Sequence, residues 1–274
     1  MDILPNTGQI SDFTGQVFWA DALELLKALP DKSVDLICTD PPYGLNKKTF
    51  ELTTQDRRDF GSAYHAIRQE WDNEAPLSWM NEASRIIKPS GAVICFGGRE
   101  SIYKFAYRGL ELGWRIVNDI TFIKPDAPPN FTGRMMTEST ERAIWFSPSG
   151  SHWTYNRLLA KSLNNGVNFR DVWEMLTPKQ NRLHPAQKPI ETIETLIATL
   201  SNAGDIILDP FAGSSTTAIA CLNLDRRYIC GDSHLPYVEM SRQRIASHNP
   251  FVDTPLKTGE TQLSLFRETA VNHD

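Results

Sequence analysis

One stretch constrains the fold of this chain more than any other. The apolar run Val34-Asp35-Leu36-Ile37-Cys38 leads, through Thr39, into Asp40-Pro41-Pro42-Tyr43. A short, near-continuous apolar run ended by turn formers reads as a parallel strand buried on both faces. Open α/β sheets bind ligands in the crevice beyond the carboxyl ends of their strands, so a carboxylate at such an end faces that crevice. Pro41 and Pro42 fix the turn and donate no backbone hydrogen bond, which leaves their carbonyls as fixed acceptors. Carboxylate, carbonyl and ring together suit a planar exocyclic amine, with two acceptors for its two hydrogens and a face for stacking. A plain strand-ending turn accounts for the tetrapeptide equally well, since Pro and Asp are common turn formers.

A second segment shifts that balance. Asp205-Ile206-Ile207-Leu208-Asp209-Pro210-Phe211-Ala212-Gly213-Ser214-Ser215-Thr216-Thr217 reads as a strand, a tight loop of small residues and then a helix that runs on through Ala218 to Leu222. Small residues let a backbone approach a ligand closely, and a helix N-terminus offers free N–H groups. The Walker pattern is absent because no Lys follows the glycine, and one glycine stands where a dinucleotide fingerprint needs three. A third strand, Arg227 to Gly231, ends in Asp232, at the place about 20 positions after a glycine loop where a ribose diol is held. The site therefore reads as one for a nucleoside without phosphates, and S-adenosylmethionine fits that description. Strands and helical patterns alternate along the rest of the chain. The expected fold is α/β, a doubly wound, mostly parallel sheet.

These segments resemble the DNA amino-methyltransferases of the β arrangement. The resemblance rests on Asp40-Pro41-Pro42-Tyr43, on Asp209 to Ser214, and on His184-Pro185-Ala186-Gln187-Lys188-Pro189, and it spans about Gln16 to Ser247. In most methyltransferases the cofactor loop precedes the catalytic tetrapeptide; here it follows, a circularly permuted order on a Rossmann-like methyltransferase fold. The family hexapeptide usually has Thr where Ala186 stands, a departure that removes one hydroxyl. The resemblance implies methyl transfer from S-adenosylmethionine to adenine N6 in duplex DNA after base flipping. Cytosine N4 is the alternative target, and a non-catalytic DNA-binding protein on the same fold a further one. Asp at the head of the tetrapeptide favours adenine within that family.

What the resemblance implies residue by residue is specific. Asp40, Pro41, Pro42 and Tyr43 form the catalytic set, with Asp40 and the Pro41 carbonyl accepting the amine hydrogens and Tyr43 stacking on the extruded base. Asp21, with Ala22 beside it, matches the acidic position that hydrogen-bonds the cofactor adenine, although a helix N-cap is equally good chemistry for it. Asp232 matches the ribose carboxylate. Asp209, Phe211, Ala212, Gly213 and Ser214 match the motif that cradles the methionine end, which Asp40 borders. Lys188 would face the cofactor carboxylate, with a surface ion pair as its other reading. His184 joins the cofactor set, with a structural histidine as its alternative.

Composition bounds the rest. An apolar share of 41% over 274 residues suffices for a substantial core. No run is long enough for a membrane span and no signal peptide is visible, so a cytoplasmic, nucleoid-associated protein is expected. Cys38, Cys95, Cys221 and Cys230 lack metal or redox spacing and read as buried thiols, and the histidines form no metal cluster. The net charge of −5 speaks against nucleic-acid binding, but basic residues gather locally at Lys47, Lys48, Arg57, Arg58 and Arg68, and at Lys179 and Arg182.

The expected division places the catalytic and cofactor-binding domain at 1–123 and 181–248. Residues 124–180 form an inserted target-recognition region, part of which returns to the sheet, and 249–274 form a tail. The polar stretch from Gly44 to Asp72 reads as a loop closing over DNA. The tail carries Gln262-Leu263-Ser264-Leu265-Phe266, which looks like the peptide that docks in the hydrophobic groove of the bacterial DNA sliding clamp; folding back on the enzyme is its other reading. The resemblance points to a restriction–modification setting in a bacterium or phage. The sequence leaves open the DNA site, a partner restriction enzyme and the oligomeric state, a homodimer included.

Overall fold

The computed structural model describes residues 1–44, 75–125, 127, 136–148, 152–175 and 187–249. The strands are β1 Gln16–Trp19, β2 Val34–Thr39, β3 Ile87–Gly97, β4 Arg115–Ile123, β5 Thr140–Ser147, β6 Val172–Glu174, β7 Ile206–Asp209 and β8 Arg227–Asp232. The helices are α1 Ala22–Ala28, α2 Trp79–Ile86, α3 Ser101–Glu111, α4 Arg157–Leu163, α5 Ile190–Leu200, α6 Thr216–Asn223 and α7 Leu235–Ala246. The strands form one sheet in the order β1-β8-β7-β2-β3-β5-β4-β6. β5 runs antiparallel to β3 and β4, and every other pairing is parallel. The doubly wound, mostly parallel α/β sheet expected from the sequence is what forms.

The buried faces follow from side-chain alternation along the strands. On β2, Leu36 and Cys38 pack with Leu196, Ile197, Ala218 and Cys221 of α5 and α6. Ile37 packs on the opposite face with Leu25, Leu26, Met80 and Ile86 of α1 and α2. β2 is thus covered on both sides, which is why its sequence is apolar almost throughout. All four cysteines are buried free thiols.

The strand order creates a switch point. From β2 the chain moves outward to β3, whereas from β7 it moves the other way to β8. β2 and β7 are nonetheless paired neighbours, Leu36 with Ile207 and Ile37 with Leu208. Connections leaving their carboxyl ends diverge, and the crevice between them is where such sheets place ligands.

Three local readings change. Lys88-Pro89-Ser90-Gly91 has the residues of a helix stop and turn, yet β3 starts at Ile87, directly after α2, and runs through them. The register shifts between the pairs Val34–Ile87 and Leu36–Ala92, so Pro89 sits in a bulge where its missing donor costs no ladder bond. Gly91 brings the strand back, because a Cβ there would lie 2.8 Å from the Asp35 carbonyl oxygen. Pro189 is the N-cap of α5 rather than its first helical residue. Residues 157–163 and 172–174, inside the stretch expected to serve target recognition, form α4 and β6. Asn156 fastens α4 to α5 by donating to the carbonyls of Ala198 (3.0 Å) and Ser201 (2.7 Å).

α5 also buries Glu194 completely, on the helix face read as apolar. Its carboxyl accepts from Asn223 Nδ2 at 2.6 Å, and burial pushes its pKa up to about 7. A carboxyl whose folded pKa lies above its unfolded value of 4.5 contributes stability that is present below pH 4.5 and lost as pH rises through about 7. Glu194→Gln is therefore expected to flatten that decline and to raise stability at pH 8 by about 2–3 kcal/mol. Denaturant melts of parent and variant at pH 5 and pH 8 check this; an unaltered pH dependence in the variant refutes it.

Among the described residues, no helix is long and apolar enough to cross a membrane and no group of side chains could hold a metal ion. The basic residues after Gly44, Lys179, Arg182, His184 and the Gln262–Phe266 pentapeptide lie outside the described residues.

Candidate active site

β2 ends at Thr39, and its next residue, Asp40, stands at the mouth of the crevice. Lys188, just before α5, donates to Asp40 Oδ2 and to Glu141 Oε1, the latter at 2.7 Å. The Tyr43 hydroxyl lies between the same carboxylates, 2.5 Å from Asp40 Oδ1 and 2.7 Å from Glu141 Oε1, with Lys188 Nζ at 3.3 Å. Its single proton can serve either carboxylate. The Tyr43 ring rests against Gly98, where a Cβ would come within 2.8 Å of it. Only glycine beyond the end of β3 leaves room for that ring.

The charges in this cluster are strongly perturbed. Burial lifts the Asp40 pKa; Lys188 opposes the rise and Glu141 adds to it. Burial also acts on Glu141, but Lys188 outweighs it and holds this carboxyl below its usual range. Lys188 stays charged despite its burial, because Asp40 and Glu141 raise its pKa. Tyr43 is pushed well above the usual phenol range by burial and by both carboxylates, so it remains a donor. Clustered, opposed shifts of this kind in a crevice mark a functional site.

One strand away, the loop after β7 is held from three sides. Asp209 accepts from Thr39 Oγ1 (2.8 Å), from the Phe211 N–H (3.2 Å) and from Thr217 Oγ1 (2.7 Å). Its carboxylate is buried, and burial pushes its pKa up to about 6 against these donors. Asp209 thus ties the loop to β2 and to α6. From α7, Ser241 donates to the Gly213 carbonyl (2.9 Å) and Arg244 to that of Ser214 (2.8 Å). Gly213 and Ser215 take left-handed φ of 50° and 52°, which turns the backbone into α6. Ala212 and Ser214 are buried, while half-buried Phe211 meets Trp79 edge-on at 6.2 Å.

Asp232 closes the far side. Its Oδ2 accepts from the Gly213 N–H (2.9 Å) and its Oδ1 from the His234 N–H (2.8 Å). Burial raises its pKa, opposed by those two N–H groups. Asp21 lies beside it, because Trp19 pairs with Asp232 at the ends of β1 and β8. Asp21 Oδ1 caps α1 by accepting from the N–H groups of Leu23 (2.9 Å) and Glu24 (3.3 Å), with Ala22 buried behind it. A loop of small neutral residues flanked by the carboxylates of Asp21 and Asp232 suits a nucleoside carrying a cationic sulfonium, and repels phosphates.

The described site residues expected from the sequence thus gather along one edge of the sheet. Lys188 faces Asp40 and Glu141, at the tetrapeptide end of the crevice. Glu141 was not anticipated. It is the second residue of β5, and only an antiparallel strand brings its first residues to the edge where parallel strands finish. A glutamate just ahead of the apolar run Ala143 to Phe146 was the available signal.

Residues 34–243 match the DNA methylase family of the N6/N4 type. The Type II methyltransferase M2.DpnII of Streptococcus pneumoniae is 32% identical over 242 residues, covering 84% of this chain and 89% of its own. The crystal structure of the M1.HpyAVI–S-adenosylmethionine complex superposes with a TM-score of 0.60 at 25% identity, over 84% of this chain and 98% of that one. The cytosine-N4-specific PvuII DNA methyltransferase shares the fold, with a TM-score of 0.66 at 18% identity over 95% of this chain and 94% of its own. Family match and crevice agree: the chain belongs to the N6/N4-type DNA methylases and is a methyltransferase whose cofactor is S-adenosylmethionine.

Proposed function

We propose that this protein methylates adenine at N6 in duplex DNA, after turning the target nucleotide out of the helix. The observation that carries this reading is the adjacency of two strand ends: Asp40 directly follows β2, the cofactor-type loop follows β7, and Thr39 donates to Asp209 across them at 2.8 Å. S-adenosylmethionine supplies an electrophilic methyl group on a sulfonium. Asp232 would hold the ribose, Asp21 the adenine, and the 209–214 loop the methionine end, with Lys188 and His184 near its carboxylate.

The exocyclic nitrogen is a poor nucleophile because its lone pair is delocalised into the ring. Asp40 and the Pro41 carbonyl accept its two N–H groups, which favours a pyramidal nitrogen and frees the lone pair for in-line attack. Positioning and preorganised charge supply most of the rate. The methylated nitrogen is acidic and gives up its proton afterwards, with Asp40 as the nearest base. The target atom is inaccessible inside a duplex, so the base must leave the stack, and Tyr43 offers a ring for it.

Asp at the head of the tetrapeptide favours adenine over cytosine N4. Residues 124–180 supply target recognition in this reading, and the enzyme works on DNA in the cytoplasm. Long-read sequencing of DNA from cells with and without the protein tests the assignment: N6-methyladenine at one short motif supports it, whereas N4-methylcytosine or no new mark refutes it. Recruitment to the sliding clamp through Gln262–Phe266 belongs to the same proposal. Leu265→Ala with Phe266→Ala is expected to abolish clamp binding in a calorimetric titration; absent binding by the parent, or unchanged binding by the double variant, rules the tail out as a clamp ligand.

A further inference from the structure

We propose that Glu141 is a positioning residue of the methyl-transfer centre: it shares the Lys188 ammonium with Asp40 and so leaves the centre one net negative charge for the target amine. The proposal rests on the reading of Asp40 as the acceptor of that amine. Asp40 and Lys188 alone would form a neutral ion pair. Such a pair presents the ammonium where the amine hydrogens should bind, and it does nothing for a nitrogen acquiring positive charge. Glu141 alters both conditions.

The geometry is specific. Glu141 Oε1 lies 2.7 Å from Lys188 Nζ and 2.7 Å from the Tyr43 hydroxyl, so it draws both donors of Asp40 towards β5. Lys188 is held further by the rings of Tyr43 and Phe96, with Nζ 5.6 and 5.2 Å from their centroids. Lys124 Nζ stands 4.0 Å from the other Glu141 oxygen, Oε2, on a side chain 25% exposed against 9% for Lys188, so it offsets the Glu141 charge less closely than Lys188 does. Within the buried set of Asp40, Glu141 and Lys188, two carboxylates share one ammonium, which leaves a net negative charge beside Asp40 that, among the described residues, only the more exposed and more distant Lys124 offsets. The methyl transfer moves positive charge from sulfur to the amine nitrogen, and a fixed negative charge in a dry site stabilises that change. The proton then released from nitrogen goes to Asp40, which the shared lysine leaves free to accept it.

The groups facing Asp40 and Glu141 are Lys188 before α5, Tyr43 after β2, Lys124 after β4, and, behind Asp40, Cys38, Cys95 and Asp209. Glu141 raises the Asp40 pKa, so removing its charge must lower it. The link needs a charge at position 141, so the glutamine variant should lose it and the aspartate variant keep it.

The test is single-turnover methylation of duplex DNA at saturating cofactor, across acid to alkaline pH, for parent, Glu141→Gln and Glu141→Asp. Cofactor binding by calorimetry reports folding. Glu141→Gln is expected to lose about 100-fold in rate, with the acid limb of the profile moved to lower pH. Glu141→Asp keeps the charge and is expected to recover most of that loss. A Gln variant with parental rate, or one that is slow with its acid limb unmoved, overturns the proposal. If the Gln variant does not bind cofactor, the Asp variant decides: a rate within about tenfold of the parent supports the proposal, and a 100-fold loss overturns it. A parent that transfers no methyl group to DNA refutes the proposed function instead.

Discussion

Asp40→Ala is expected to slow methyl transfer by about 10²–10⁴-fold while leaving affinity for S-adenosylmethionine near that of the parent. On the proposed reading the carboxylate removed is the acceptor at the mouth of the crevice, whereas the loop assigned to the cofactor is pinned by Asp209, Ser241, Arg244 and Asp232. The variant should fold, because Lys188 and Tyr43 both retain Glu141 as partner. In the parent, activity should fall with acid pH at a value above the ordinary aspartate range. Burial and Glu141 raise the Asp40 pKa against Lys188, and only the ionised carboxylate accepts the amine. Single-turnover rates and calorimetry on one preparation check both halves. Near-parental turnover contradicts the assignment, and a large loss of cofactor affinity would move Asp40 to the other half of the site.

Asp232→Ala should act in the opposite sense, weakening cofactor binding before it touches chemistry. Both oxygens of Asp232 hold backbone, the Gly213 N–H at 2.9 Å and the His234 N–H at 2.8 Å. Each oxygen keeps a lone pair for a ribose hydroxyl. Truncation therefore removes the proposed ribose contact and loosens the glycine turn together. The expected cost is about 1–3 kcal/mol in cofactor affinity, or about 5–150-fold in Kd. At saturating cofactor the rate should largely return. Parental affinity in the calorimeter would show that Asp232 serves only the entry to α7.

Much of this site was legible because its chemistry sits at strand ends, where short-range patterns are strongest. Val34 to Cys38 is apolar because β2 is covered on both faces, and the turn that follows has no freedom once two prolines occupy it. The glycine loop and Asp232 were recoverable for the same reason: strand, tight turn and helix follow one another within one unit. Glu141 was hidden because its role depends on β5 running antiparallel, a property of the sheet and not of the local sequence. The pairing of Lys188 with both Asp40 and Glu141 was hidden too, since 148 residues separate Lys188 from Asp40. α4 and β6 escaped because they are short and tertiary contacts hold them. Trp173 packs on Phe122 and Phe169, with centroids 5.7 and 4.8 Å away, and Asn156 ties α4 to α5. The β3 bulge shows the converse: Pro89 was a sound stop signal for α2, and the strand began before it because its register absorbs the proline.

The most direct measurement is the fate of a labelled methyl group. Parent and Asp40→Ala, each with methyl-labelled S-adenosylmethionine and unmethylated duplex DNA, are followed by digestion to nucleosides and mass analysis. The expected result is label on the N6 of deoxyadenosine with the parent and almost none with the variant, although both bind the cofactor. Label on cytosine N4, or equal labelling by the two proteins, would contradict the assignment of Asp40 as the residue that presents an adenine amine to the methyl donor.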